Sequence, residues 1–130
     1  MKEKNKIYKI LLVDDDKFLL DMYATKFSEG NFEVSAVFGA TEAISKLEEG
    51  YAPEIILTDV VMPIMDGFDF LTEIKKRKFA QGAHIIILSN LGQKEDLDKG
   101  KELGACGYIV KATSTPTEVV NQVLKIIESE

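Results

Sequence analysis

Short apolar runs and amphipathic stretches take turns five times along this chain. Residues 8–13, 32–37, 54–58, 84–88 and 107–110 read as strands, and all but the second are nearly continuous apolar runs. Continuous hydrophobicity, as opposed to alternation, marks parallel strands covered on both faces. Residues 17–29, 41–49, 67–77, 94–103 and 116–128 carry apolar positions at helical spacing. Such regular alternation predicts a doubly wound α/β sheet with helices on both faces, because crossovers between parallel strands are right-handed.

Local signals mark several helix ends. Asp16 is placed to cap the first helix and Gly30 to close it. Asp66 precedes Gly67-Phe68-Asp69-Phe70-Leu71 as a second cap. Thr115-Pro116-Thr117-Glu118 combines a capping box with proline at the first helical position. Behind it Val119, Val120, Val123, Leu124, Ile126 and Ile127 form a wide stripe expected to face the core. The fourth helix carries Gly100 in its interior, at a cost of about 1 kcal/mol relative to alanine, and is expected to be the least stable of the five.

Bulk properties narrow the function. A chain of 130 residues suits one domain, 1–130, that buries roughly two-thirds of its unfolded surface. Its net charge of −6 argues against a nucleic-acid footprint. The one basic run, Lys75-Lys76-Arg77-Lys78, falls at a helix end, where cations complement the dipole. A single cysteine, Cys106, rules out an internal disulfide framework, suits a reducing cytoplasm and reads as a small core residue. The charged start, Met1-Lys2-Glu3-Lys4-Asn5-Lys6, has no long apolar stretch after it, so neither a signal peptide nor a membrane span is expected.

The candidate chemistry gathers at strand ends. Ile10-Leu11-Leu12-Val13 runs into Asp14-Asp15-Asp16, Ile55-Ile56-Leu57-Thr58 into Asp59, and Tyr108-Ile109-Val110 into Lys111. If these strands are parallel neighbours, their carboxyl ends meet at one edge of the sheet. Carboxylates at ~4 Å repel by roughly 1–4 kcal/mol per pair, depending on the effective dielectric. Crowding of that kind implies a hard divalent cation, and all-oxygen ligands favour Mg²⁺.

Four segments, in this order, resemble a response regulator receiver domain, the phosphoacceptor half of two-component signalling, in its chemotaxis-regulator-like form. They are Leu11-Leu12-Val13-Asp14-Asp15-Asp16, then Leu57-Thr58-Asp59-Val60-Val61-Met62-Pro63-Ile64-Met65-Asp66-Gly67, then Ile86-Ile87-Leu88-Ser89-Asn90, and finally Gly104-Ala105-Cys106-Gly107-Tyr108-Ile109-Val110-Lys111. The resemblance implies a flavodoxin-like sheet of order 2-1-3-4-5. It implies that Asp59 accepts a phosphoryl group from a phosphohistidine on a sensor histidine kinase or histidine phosphotransfer protein. Mg²⁺ would be held by Asp15 directly, Asp14 through water, one oxygen of Asp59 and the carbonyl of Val61. Lys111 is the other counter-charge, Ser89 the hydroxyl that bonds the phosphoryl group, and the backbone amides of Val60 and Asn90 further donors. Asp16 has no site role in the family pattern. Ser89 and Tyr108 form the implied switch, remodelling the face of the fourth helix, fifth strand and fifth helix for a downstream protein. The implied protein is cytoplasmic, binds neither nucleic acid nor membrane directly, turns over no substrate, and is a monomer or a phosphorylation-dependent dimer.

Two departures from the family pattern matter. Ala112 stands where receivers commonly have a proline joined by a cis bond; a retained cis bond is expected, so that Lys111 reaches Asp59. Val61 and Leu91 are apolar and cannot hydrogen-bond a hydrolytic water, so slow self-dephosphorylation is expected. Among rivals, Asp14-Asp15-Asp16 loosely fits a haloacid-dehalogenase-type phosphatase with Asp14 as nucleophile, but that leaves Asp59 and its neighbours unexplained. A stand-alone regulator is favoured by Met1 and by the stop after the last helix, with a receiver from a longer regulator as the alternative.

Overall fold

Apolar runs that demand cover on both faces produce a single parallel sheet. The structure, a computed structural model, describes residues 6–129. The strands are β1 (Tyr8–Val13), β2 (Phe32–Val37), β3 (Ile55–Thr58), β4 (His84–Ser89) and β5 (Gly107–Val110). They lie in the order β2-β1-β3-β4-β5, every neighbouring pair parallel. The helices are α1 (Lys17–Ser28), α2 (Ala40–Glu48), α3 (Gly67–Lys76), α4 (Lys94–Glu102) and α5 (Pro116–Glu128). The expected architecture and strand order are therefore present, with most boundaries within one residue.

Alternate residues of each strand feed opposite faces, so the sheet separates two cores. Leu11, Val13, Ile56 and Ile87 pack with Ala43 and Leu47 of α2 and with Phe70 and Leu71 of α3. On the other face Ile10, Leu12, Ile55, Ile86 and Ile109 pack with Leu20 and Phe27 of α1 and with Val119, Val123 and Ile127 of α5. No helix among the described residues is long and apolar enough to cross a membrane.

The helix starts follow the sequence signals. Asp16 accepts from the Leu19 amide at 3.1 Å and Asp66 from the Asp69 amide at 2.8 Å. Thr115 and Glu118 satisfy each other's amides at 3.1 and 2.8 Å. Gly30 closes α1 through its amide, 3.0 Å from the Phe27 carbonyl, but its backbone is not in the left-handed region expected of a closing glycine. Gly100 has a packing reason: a β-carbon there would lie 2.6 Å from Ile87 Cδ1. Glycine lets α4 approach β4 more closely than any other residue allows.

The end of β5 corrects one expectation. There is no cis peptide bond among the described residues, so Lys111-Ala112 is trans. Instead Lys111–Thr113 forms one 3-10 turn, which the apolar pattern does not foretell. The Ala112 amide donates to Asn90 Oδ1 at 2.8 Å and the Lys111 carbonyl accepts the Ser114 amide at 3.2 Å. A cis bond before a non-proline residue costs about 2.5–4 kcal/mol, and this turn places the lysine without it.

Candidate functional site

β1 and β3 run side by side with Val13 opposite Thr58, so Asp14 and Asp59 leave the sheet together at its carboxyl edge. From β1 the chain goes outward to β2, and from β3 it goes the other way to β4. A crevice opens where the winding reverses, the usual ligand position in open α/β sheets. Lys111, just past β5, reaches into it. Its Nζ lies 2.6 Å from Asp59 Oδ2 and 2.7 Å from Asp14 Oδ2. All three side chains are at least nine-tenths buried.

The remaining carboxylate oxygens are also engaged. Asp14 Oδ1 accepts from the Asp16 amide at 2.9 Å, and Asp59 Oδ1 from the Val60 amide at 2.7 Å. Asp15 is exposed, yet one oxygen from each of Asp14, Asp15 and Asp59 falls within 4.8 Å of the others. Three carboxylates face one ammonium, so the crevice keeps an excess of negative charge. Burial pushes the Asp14 carboxyl above its ordinary range, with the Lys111 hydrogen bond opposing. Burial alone pulls the Lys111 ammonium down, but its hydrogen bonds to Asp14 and Asp59 outweigh this and hold it above the usual lysine range. Oxygen-only donors, one side of which opens to solvent at Asp15, fit a hard divalent cation that keeps several waters.

The loop after Asp59 is tightly built. The Gly67 amide bonds the Val60 carbonyl at 2.7 Å, and a β-carbon on Gly67 would stand 2.2 Å from the Asp59 carbonyl oxygen. The Asp-Gly that closes the motif is thus a requirement of close backbone approach. Met62 is buried beneath this loop, while the Val61 side chain is exposed at the rim.

Ser89 ends β4 wholly buried, and its Oγ accepts from the Leu91 amide at 3.2 Å. Tyr108 donates its hydroxyl to the carbonyl of the same Leu91 at 2.5 Å. Burial, then the charge of Asp96, raises the Tyr108 phenol above its ordinary range. The two expected switch residues are therefore joined through one residue's backbone. Asn90 is exposed, with its side chain tied to Ala112. Asp14, Asp15, Asp59 and Lys111 meet at this crevice, Ser89 and Tyr108 meet at Leu91 beside it, and Asp16, expected to have no site role, caps α1.

Several participants were not legible beforehand. The Lys111–Asp14 ion pair, the Leu91 backbone bridge, the Asn90 brace and the Thr58 hydroxyl on the Asp59 carbonyl at 2.9 Å all depend on how separate loops meet. Tyr23 of α1 is buried beside Asp14 and Asp59, and it reads in sequence as one more core aromatic.

Residues 10–124 match the response regulator receiver domain. The chain belongs to this family. It is similar to the chemotaxis protein CheY of Halobacterium salinarum, 38% identical over 109 residues, covering 83% of this receiver and 88% of that protein. It is also similar to the regulatory protein VanRc of Enterococcus gallinarum, 37% identical over 117 residues, covering 88% of the receiver but only 48% of the relative. Among solved structures, the chemotaxis protein CheY4 of Vibrio cholerae superposes with a TM-score of 0.84 at 26% identity, covering 92% of this chain and 98% of that one. The receiver thus spans most of one relative and about half of another. Members of this family are signalling regulators, not turnover enzymes.

Proposed function

We propose that Asp59 accepts a phosphoryl group from a phosphohistidine on a sensor histidine kinase or histidine phosphotransfer protein. A carboxylate oxygen of Asp59 bonds to phosphorus as the donor's P–N bond breaks, the electron pair returning to the imidazole nitrogen. The observation that carries this reading is the Lys111 ammonium held 2.6 and 2.7 Å from two carboxylates in a buried, net-negative crevice. Lys111 orients Asp59 before transfer and pairs with a phosphoryl oxygen afterwards. The Val60 and Asn90 amides and the Ser89 hydroxyl donate to the remaining oxygens. Asp15, Asp59 and the Val61 carbonyl, with Asp14 through water, would hold a magnesium ion, which would supply the positive charge that lets an anionic acceptor meet an anionic phosphoryl group.

The switch follows from the Leu91 bridge. When Ser89 turns its hydroxyl toward the phosphoryl group it releases the Leu91 amide, and the loop carrying Tyr108's acceptor is free to move. Tyr108 then turns inward and the α4-β5-α5 face takes its second form, a two-state equilibrium biased by the new contacts. Because the side chains of Val61 and Leu91 cannot hydrogen-bond a hydrolytic water, hydrolysis of the aspartyl phosphate is slow.

The test is intact mass after incubation with acetyl phosphate and Mg²⁺. Wild type gains one phosphoryl group and Asp59→Ala gains none. A phosphoryl group found on Asp14 would overturn the assignment in favour of the phosphatase-like chemistry. The chain's coverage of 88% of the chemotaxis relative supports a single receiver unit acting alone. The half-length match to VanRc supports the second reading, a receiver within a longer regulator. The size of the native polypeptide on an immunoblot separates the two.

A further inference from the structure

Tyr23 places a hydroxyl where the buried face of α1 otherwise carries only hydrocarbon. It is 4% exposed, and the other buried residues of that helix are Leu20 and Phe27. Phenylalanine would fill the same volume with no polar atom to bury. The hydroxyl has no hydrogen-bond partner among the described residues. The charges that act on it are those of Lys111, Asp14, Asp59 and Asp16, so the phenol ends beside the crevice. Burial pushes it above its ordinary range, and at neutral pH it keeps its proton and faces the carboxylates as a donor.

Tyr23 also lines a cavity of ≈ 10 Å³ beneath the crevice, with Asp14 and Asp59 as its other polar walls and leucine and valine around them. A single buried water needs about 10–15 Å³ and two to four polar partners. Three partners are present. The carboxylates also have acceptor positions to spare. Asp14 receives the Asp16 amide on one oxygen and Lys111 on the other, and Asp59 receives the Val60 amide and Lys111 in the same way. Each carboxylate oxygen can accept twice. We infer that Tyr23 is a positioning residue for the metal-ligating carboxylates, its hydroxyl donating to one buried water that donates in turn to Asp14 and Asp59. Braced from beneath, the two carboxylates keep the orientation that a cation at the crevice requires. Ligands held by outer hydrogen bonds bind metal more tightly than ligands left free to turn. The inference rests on the magnesium part of the reading above, and adds a residue of α1 to it.

Calorimetric titration of Mg²⁺ into wild type, Tyr23→Phe and Tyr23→Leu reads the effect without any phosphoryl transfer. Tyr23→Phe, which keeps the ring and loses only the hydroxyl, is expected to raise the Kd for Mg²⁺ about tenfold, and Tyr23→Leu to raise it by at least as much. Circular dichroism of Tyr23→Phe should match wild type. A crystal of the wild type should show one ordered water within hydrogen-bond distance of Tyr23 Oη and of a carboxylate oxygen of Asp14 or Asp59. A role in packing alone predicts the other pattern, Tyr23→Phe binding Mg²⁺ like wild type and Tyr23→Leu binding it less well. That result overturns the inference, as does a dry cavity in the crystal. Acetyl phosphate at saturating Mg²⁺ should still add one phosphoryl group to Tyr23→Phe, so a failure of the Tyr23 assignment leaves Asp59 as the acceptor. A wild type that binds no Mg²⁺ sinks the inference together with the magnesium part of that reading.

Discussion

α4 and α5 flank the same strand, β5, on opposite faces of the sheet, and they are attached to it by different physics. α5 buries Val119, Val123 and Ile127 in the core it shares with α1, and it starts from a reciprocal capping box. In α4, Lys-Glu-Asp-Leu-Asp-Lys-Gly-Lys-Glu, Leu97 is the one large apolar residue, it is exposed, and only Gly100 is buried. What holds α4 is the absence of a side chain at Gly100, the Lys99 ammonium 4.9 Å above the Phe68 ring, and backbone bonds at its end, Gly104 to Lys101 at 3.0 Å and Ala105 to Gly100 at 2.9 Å. A helix anchored by burial is expensive to displace, and one anchored by capping and close approach is not. The proposed switch needs one of each: α5 as a fixed reference, and α4 as the part that two crevice hydrogen bonds can move.

The largest expected effect tests that contrast directly. Val123→Ala in α5 is expected to cost about 2 kcal/mol in urea unfolding, from lost burial plus a cavity. Leu97→Ala in α4 is expected to stay within about 0.5 kcal/mol. Similar costs at the two positions would break the comparison.

Hydrogen exchange sharpens it. Interior amides of α4 should exchange at least about tenfold faster than those of α5, equivalent to ~1.4 kcal/mol of easier local opening. Phosphorylation should change protection in α4 and leave α5 as it was. A uniform response across both helices would argue for whole-domain tightening.

Gly100→Ala should have a smaller effect on stability, within about 1 kcal/mol, because better helix propensity opposes the clash with Ile87. Its informative readout is Tyr108 fluorescence or ring NMR, since the same β-carbon would come into van der Waals contact with that ring at 3.7 Å. An unperturbed Tyr108 would show that α4 and the switch residue are not mechanically joined.

The smallest effects are those of pH, and they concern the crevice at the carboxyl edge of the sheet, from which the proposed switch acts on α4. The folded-state pKa of Lys111 lies above the ordinary lysine value of 10.5, so its contribution to stability is complete below 10.5 and is lost as pH rises through the folded value. Asp14 has the opposite consequence for a carboxylate: with its folded pKa raised above 3.8, the native state holds the extra proton. In metal-free protein the cost of burying the Asp14 carboxylate therefore falls away as pH drops from the raised value toward 3.8. Thermal melts of wild type and Asp14→Asn across that acidic window should converge at its lower end. Curves that remain parallel throughout would show that Asp14 does not carry the strain assigned to it.

Sequence alone determined the layered fold, because continuous apolar runs at Ile10–Val13, Ile55–Thr58 and Ile86–Leu88 have no other way to be covered than by helices on both sides. It also determined the candidate acceptor and its counter-charges, since strand-end positions carry their chemistry in residue type and spacing. Tertiary structure alone decided what the backbone does where loops meet. The trans Lys111-Ala112 bond under a 3-10 turn, the Lys111 bridge to Asp14 as well as Asp59, and the Leu91 peptide between Ser89 and Tyr108 belong to this group. The physical reason is common to all three. Each depends on which groups, distant in sequence, the packed sheet and helices bring within reach of one another, and residue type alone does not say that.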